Sequence, residues 1–122
     1  MAELNEMPFT PYVKQADLVS TDTTAKKLFQ LPANSKIIRI EIQNAALATG
    51  GSADVGIQTN TDYFVDGLDI ATVASHLASL LISEWSDVPL DIYGLVAFTG
   101  AAAGGPFTVI LTYINRKSRK VL

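Results

Sequence analysis

The sequence predicts an all-β chain folded as a two-sheet β-sandwich, with an extended N-terminal arm and a short basic C-terminal tail. Three observations lead there. Ile38, Ile40 and Ile42 alternate with Arg39, Glu41 and Gln43, a period of two that suits a strand with one buried face. Turn signals recur about every 8–12 residues along most of the chain, the spacing of a sandwich. The run from Ile92 to Asn115 is uncharged but carries Gly104-Gly105-Pro106 at its middle. Proline inside a helix costs about 3 kcal/mol and each glycine about 1. Two buried strands around a loop therefore explain this run better than a membrane helix does.

The elements follow in order. Residues 1–11 hold Pro8 and Pro11 and no periodicity, and read as an arm. Met7 and Phe9 are its candidate contacts to a neighbouring molecule. Residues 12–114 form the sandwich domain and 115–122 the basic tail. Residues 12–18 and 25–31 are extended, separated by the Ser20-Thr21-Asp22-Thr23-Thr24 turn cluster. Leu31-Pro32-Ala33-Asn34-Ser35 turns again, because proline cannot donate to a central ladder. Residues 36–44 are the clearest strand. Gly50-Gly51 turns the chain, and Ala53, Val55 and Ile57 then alternate with Asp54, Gly56 and Gln58. These two strands are expected to pair like a hairpin. Residues 59–67 form a polar stretch around Tyr63-Phe64-Val65, read as a solvated loop. Ile70, Val73, Ala74, Leu77, Leu80 and Leu81 fit helical spacing, with Asp69 as N-cap. An irregular or briefly helical stretch to about Ser75, followed by a strand through 77–85, is expected there. Residues 90–99 and 107–114 are the last two strands, apolar on both faces and so covered on two sides.

Composition narrows the function classes. Charged residues are 17% of the chain, against about 25% in ordinary soluble domains. That shortage predicts a surface partly covered by other copies or by a partner. The tail carries Arg116, Lys117, Arg119 and Lys120, candidate contacts to an acidic neighbour. The rest holds five Lys and Arg against twelve Asp and Glu, a net −7. An acidic body of this kind repels nucleic acid. Neither a nucleic acid nor a membrane is an expected partner. With no cysteine, disulfides and thiolate metal sites are excluded. The first fifteen residues show no basic start followed by an apolar run, so no signal peptide is expected.

Candidate chemistry is sparse. His76 is the single histidine, with Asp69, Ser75 and Ser79 nearby in sequence. No Gly-x-Ser-x-Gly turn supports a triad, and a lone histidine beside leucines reads as a structural or surface residue. Asn60, Asp62, Asp66 and Asp69 surround Gly67, but their spacing does not match a calcium loop. Gly50-Gly51 and Gly104-Gly105 fit turns, not phosphate cradles. No catalytic residue, metal or cofactor is expected.

Two stretches carry a resemblance. Leu28-Phe29-Gln30-Leu31-Pro32-Ala33-Asn34-Ser35-Lys36-Ile37-Ile38-Arg39-Ile40-Glu41-Ile42 is one. The other runs from Ala53 to Asp69, with Val55-Gly56-Ile57 followed by Asp62-Tyr63-Phe64-Val65-Asp66-Gly67. Together with a closing Gly-rich hairpin over 92–113, they resemble small β-sandwich virion proteins of tailed bacteriophages. That group includes head decoration (cement) proteins and other minor virion components. The resemblance covers about residues 25–114. It implies a jelly-roll-like sandwich, often trimeric, that sits on the outer capsid surface and clamps neighbouring capsid subunits. It carries no catalytic residues. The expected function is a non-enzymatic virion structural protein, foremost a cement protein binding the major capsid protein of the assembled head. A homo-oligomer, a trimer above all, is expected, located in the virion and assembled in the host cytoplasm. The alternatives are a minor tail or fibre component, or a carbohydrate-binding sandwich using Tyr63, Phe64 and Trp85.

The strand register is testable. Ile40→Asp buries an unpaired carboxylate and is expected to cost about 4 kcal/mol or more in urea unfolding. Arg39→Asp is expected to stay within about 0.5 kcal/mol. A critical Arg39 with a tolerant Ile40 would shift the register by one residue.

Overall fold

A computed structural model describes residues 10–82 and 84–116. Eight strands run through them: β1 (Pro11–Leu18), β2 (Lys26–Leu31), β3 (Ser35–Asn44), β4 (Gly51–Ile57), β5 (Asn60–Asp69), β6 (Ala74–Leu77), β7 (Leu90–Phe98) and β8 (Phe107–Asn115). They form two antiparallel sheets of four, ordered β1-β8-β3-β6 and β2-β7-β4-β5. Only β4 and β5 are joined as a hairpin; every other connection crosses from one sheet to the other. This is the strand order of a jelly roll, so the expected two-sheet sandwich is the observed fold.

The core lies between the sheets and follows the period of two. In β8, Phe107, Val109, Leu111 and Tyr113 point inward, while Thr108, Ile110, Thr112 and Ile114 point outward and are half-buried. Ile40 and Ile42 of β3, and Val55, Ile92 and Val96 of the facing sheet, belong to the same core and are fully buried. Burying a side chain of this size contributes about 1.5–3 kcal/mol.

Four expectations are corrected. The first concerns β3, whose pairing to β8 shifts between Ile37 and Arg39. Ile38 and Arg39 together oppose one residue, so Ile38 turns outward at 44% exposure and Ile37 turns inward at 3%. A β-bulge of this kind breaks the alternation read from the isoleucines. Second, β3 and β4 do not pair, and β7 and β8 do not close a hairpin. In both cases the Gly-rich connection carries the chain across to the opposite sheet. Third, residues 59–67 are mostly strand, and the turn is only Gln58-Thr59 between Ile57 and Asn60. The polar residues of β5 that suggested a loop lie at its turn end and along its exposed positions, while Phe64 and Val65 are buried.

Fourth, residues 70–73 take the irregular form of the two expected, without a helical turn, and the strand that follows is Ala74–Leu77, not 77–85. The carbonyls that would begin a helix already have partners. Ile70 and Thr72 accept from Asn44 Nδ2 at 2.8 and 3.2 Å, and Ala71 accepts from the Ala48 N–H at 2.9 Å. Asp69 does hold the Ala71 N–H at 2.9 Å, but as a turn, while Ile70 is fully buried.

Asn44 ties one end of the sandwich together. Besides the two carbonyls above, its Oδ1 accepts the N–H groups of Ala46 at 3.2 Å and Gly105 at 3.1 Å. Three crossing loops thus meet on one side chain that is 3% exposed. Gly104 and Gly105 both have positive φ, 83° and 89°, and a Cβ on Gly104 would lie 2.6 Å from the Leu47 carbonyl oxygen. Only glycine lets this loop reach Asn44.

Asn44→Ala is expected to lower stability by about 3 kcal/mol, since it strands buried backbone groups of three loops. Urea unfolding checks this; a loss under about 1 kcal/mol would mean that the loops hold without the amide.

Candidate functional site

The end of the sandwich opposite Asn44 is built on Asn34, a non-glycine residue with φ 69°. Asparagine tolerates this left-handed conformation better than most residues. Ser35 Oγ donates to the Pro32 carbonyl at 2.7 Å, and Asn115 Nδ2 donates to the Ala33 carbonyl and to Ser35 Oγ, both at 3.0 Å. The segment before β7 is stitched to this turn: Ser86 N–H donates to the Ser35 carbonyl at 2.9 Å, and Asn34 N–H to the Ser86 carbonyl at 2.5 Å. Trp85 is thereby fixed beside two cations. Lys36 Nζ lies 5.9 Å and the Arg116 guanidinium 5.1 Å from its ring centroid, within cation–π range.

Next to Trp85 is an open pocket of about 170 Å³. Its apolar wall is Ile57, Tyr63, Phe64, Ile82, Trp85 and Leu90, with Glu84 and Ser86 as its polar members. Tyr63 and Phe64 meet edge to face, with centroids 5.0 Å apart. The three aromatic residues named from the sequence are thus brought together from β5 and the segment before β7. Phe64 is buried and Trp85 carries the cations, so the group offers a lined recess more than a flat platform.

Of the six candidate contact residues, Arg116 is described. Its guanidinium bonds Asn34 Oδ1 through two nitrogens, each at 3.3 Å, and pairs with Asp87 at 3.5 Å. Met7, Phe9, Lys117, Arg119 and Lys120 lie outside the described residues. The imagined triad is dispersed. His76 Nε2 sits 3.0 Å from the Thr72 carbonyl oxygen, Ser75 Oγ donates to Glu41 at 2.6 Å, and Asp69 serves the Ala71 turn. Among the described residues no cluster of three or more His, Asp or Glu is placed to hold a metal ion.

The two outer sheet faces differ in character. On β1-β8-β3-β6, Val13, Ile38 and Leu77 stand exposed around the half-buried Ile110 and Ile114, interspersed with Gln15, Lys36, Arg39, Glu41 and Gln43. Nothing in the described chain covers this face. Its apolar character was hidden in the sequence, because the bulge at Ile38 and the outward phase of β1 depend on pairing with β8. The other face carries Asp54 and Asp91 beside the half-buried Tyr93 and Leu95. Lys27 pairs with Asp91 at 3.3 Å, and Asp54 accepts the Gly67 N–H at 2.7 Å. Burial pushes the Asp54 carboxyl above the usual carboxylate range; the Gly67 N–H opposes this, and the charges of Asp66 and Asp62 add to it. Glu41 is held below that range, chiefly by the Ser75 hydroxyl, then by Gln43, against the effect of burial and with help from Arg39.

Comparison with known proteins gives a likeness in fold. No family model and no curated protein matches the sequence. Among solved structures, a chain of the acid-stable capsid of Helicobacter pylori bacteriophage KHP30 superposes with a TM-score of 0.63 at 14% identity. The match covers 87% of each chain. A chain of the cyanophage Pam1 capsid asymmetric unit superposes with a TM-score of 0.61 at 16% identity, over 88% of this chain and 81% of that one. At these identities the likeness establishes a shared fold, and it agrees with the phage virion resemblance carried by the sequence.

The two perturbed carboxylates predict opposite pH effects. Asp54, with its folded pKa raised, contributes stability below about pH 3.9, lost as pH rises through the raised value. Glu41, with its folded pKa lowered, contributes stability above about pH 4.3, lost as pH falls through the lowered value. Urea midpoints measured from pH 2 to 7 should therefore show Asp54→Asn gaining on the parent toward neutral pH. Glu41→Gln should lose most of its deficit toward acid. Parallel profiles for all three proteins would contradict both assignments.

Proposed function

We propose that this chain is a non-enzymatic structural protein of a phage particle, and within that class a capsid decoration protein that binds the assembled head. The observation that carries the reading is the jelly-roll strand order, shared over most of the chain with chains of two phage capsid structures. The exposed Val13, Ile38 and Leu77 around Ile110 and Ile114 support it, since apolar side chains left open on a sheet face suit contact with a neighbour. The sparse charge supports it as well.

The mechanism is reinforcement by mass action. A protein that binds the assembled shell and not its dissociated subunits stabilises the shell by RT ln(1 + [L]/Kd). This is about 2.7 kcal/mol per site at a hundredfold excess over Kd. Repeated over symmetric sites, the contribution resists outward pressure on the shell. The major capsid protein is the partner in this reading. A trimer matching a local threefold axis is the favoured assembly, with Met7 and Phe9 of the N-terminal arm and Arg116, Lys117, Arg119 and Lys120 of the C-terminal tail as contacts. A sugar-binding module is less well supported, because it calls for open aromatic faces. Here Phe64 is buried and cations lie over Trp85.

Co-sedimentation with empty capsids tests the reading. The expected result is saturable binding at a fixed ratio of copies to capsid protein, with a raised capsid melting temperature. Light scattering after size exclusion should give a trimer mass that resists salt. Protein that ignores empty capsids, yet is retained by tail fractions of the virion, would overturn the decoration role.

A further inference from the structure

We propose that Lys14, together with Pro11, Asp22 and Lys26, keeps the open edge of β1 from pairing with a strand of a second copy of this chain. The device belongs to the sheet itself and is independent of what the chain binds.

Each sheet ends in two open edges, β1 and β6 in one and β2 and β5 in the other. An open edge is a row of unpaired N–H and C=O groups on which another chain can add a strand. Three of these edges are short or broken. β6 has four residues, the pairing of β2 shifts between Lys27 and Phe29, and the pairing of β5 shifts twice. The Leu81 N–H also donates to the Phe64 carbonyl of β5 at 2.9 Å. β1 is different. Its eight residues pair with β8 without a break, from Pro11 opposite Ile114 to Leu18 opposite Phe107. It is the long regular edge of the described chain, and the one on which a copy could add most easily.

The neighbouring strand β8 shows which backbone groups of β1 are open. The Ala45 N–H donates to the Pro106 carbonyl at 3.4 Å, and the Arg116 N–H donates to the Asn34 carbonyl at 3.1 Å. The even-numbered residues of β8 therefore turn their backbone groups toward β3, and the odd-numbered ones toward β1. It follows that Tyr12, Lys14, Ala16 and Leu18 bond β8, while Pro11, Val13, Gln15 and Asp17 face the open side. Both ends of this row are closed. Pro11 has no N–H to offer. Lys26 Nζ donates to the Asp17 carbonyl at 3.2 Å. Asp22, 3.4 Å from Lys26 Nζ, accepts the Val19 N–H at 2.8 Å. The part left open is centred on Val13 and Gln15, on either side of Lys14.

Lys14 is turned inward. Residues directly opposite in an antiparallel pair share a face, and its partner Leu111 is fully buried. Ala16 and Leu18, in phase with Lys14, belong to the core or pack against it. Yet Lys14 is only half-buried, and it takes part in none of the ion pairs among the described residues. Its stem lies along the core margin and its ammonium reaches water past the edge of β1. A strand added at Val13 and Gln15 would close that exit and bury an unpaired charge. That cost exceeds the small net return of the few hydrogen bonds gained.

Two substitutions remove the charge and keep the strand: Lys14→Met, which preserves the length of the stem, and Lys14→Val. Light-scattering mass after size exclusion is followed over a dilution series of the full chain and each variant, and circular dichroism confirms that each is folded. Both variants should associate beyond the parent's mass, at concentrations about tenfold or more below any at which the parent does so. Hydrogen exchange should place the added protection within residues 11–18. Lys14→Arg should keep the parent's mass. Gln15→Pro, added to either variant, removes an outward N–H and leaves the pairing with β8 intact, so it should return the mass to the parent's. If Lys14→Met and Lys14→Val keep the parent's mass throughout, the proposal is overturned. Association with protection gained outside β1, or association that Gln15→Pro does not reverse, would overturn it equally.

Discussion

The fold depends on a constraint at its ends: a chain that changes sheet at nearly every connection must hold its crossing loops in place. Asn44 does this at one end, where its amide and carbonyl bond the 44–46, 70–72 and 104–106 connections at once. Asn115, Ser35 and the Asn34 turn do it at the other, where they clamp the segment that carries Trp85. An asparagine suits this task because one side chain supplies two donors and an acceptor with two lone pairs. Both asparagines are buried, and their amides are paired with backbone carbonyls or, for Asn115, also Ser35 Oγ. Such groups are costly if stranded and rigid when satisfied.

Between these clamps the sheets divide their tasks. The inner faces are apolar and closed. The outer faces differ: one is acidic around Asp54, the other exposes Val13, Ile38 and Leu77 among Lys36, Arg39, Glu41 and Gln43. The bulge in β3 contributes to this asymmetry, since it places Ile38 on the outside with no change in the inward series Ile37, Ile40, Ile42. The side chains on the outer face of β3 are therefore set by a pairing irregularity as well as by residue type.

Much of the strand content was legible, because period-two alternation and turn residues are local signals. β1, β2, β3, β7 and β8 lie within a residue or so of their expected bounds. Partner choice was not legible. Whether β3 continues into a hairpin or crosses to the other sheet is decided by β8, more than sixty residues away. Helical spacing at 70–81 misled for a similar reason: Asn44 and Ala48 take the carbonyls a helix would need, and both are remote in sequence. The aromatic residues Tyr63, Phe64 and Trp85 were visible as types, but the recess they form comes from separate segments. The contacts expected in the arm and most of the tail fall outside the described residues.

The positions of β7 and β8 have a consequence for how the molecule comes into being. β8 lies between β1 and β3, and β7 lies between β2 and β4. On a ribosome, β1 and β2 therefore emerge without a sheet partner and must wait for residues 90–115. Until then the nascent chain has only the β4–β5 hairpin and the short β3–β6 pairing available. Loop closure over such sequence distances makes formation slow compared with a helical chain of equal length. The waiting strands also present unpaired edges, the state in which copies of a chain most readily mispair. Synthesis of the last two strands thus acts as the commitment step, after which both sheets close together.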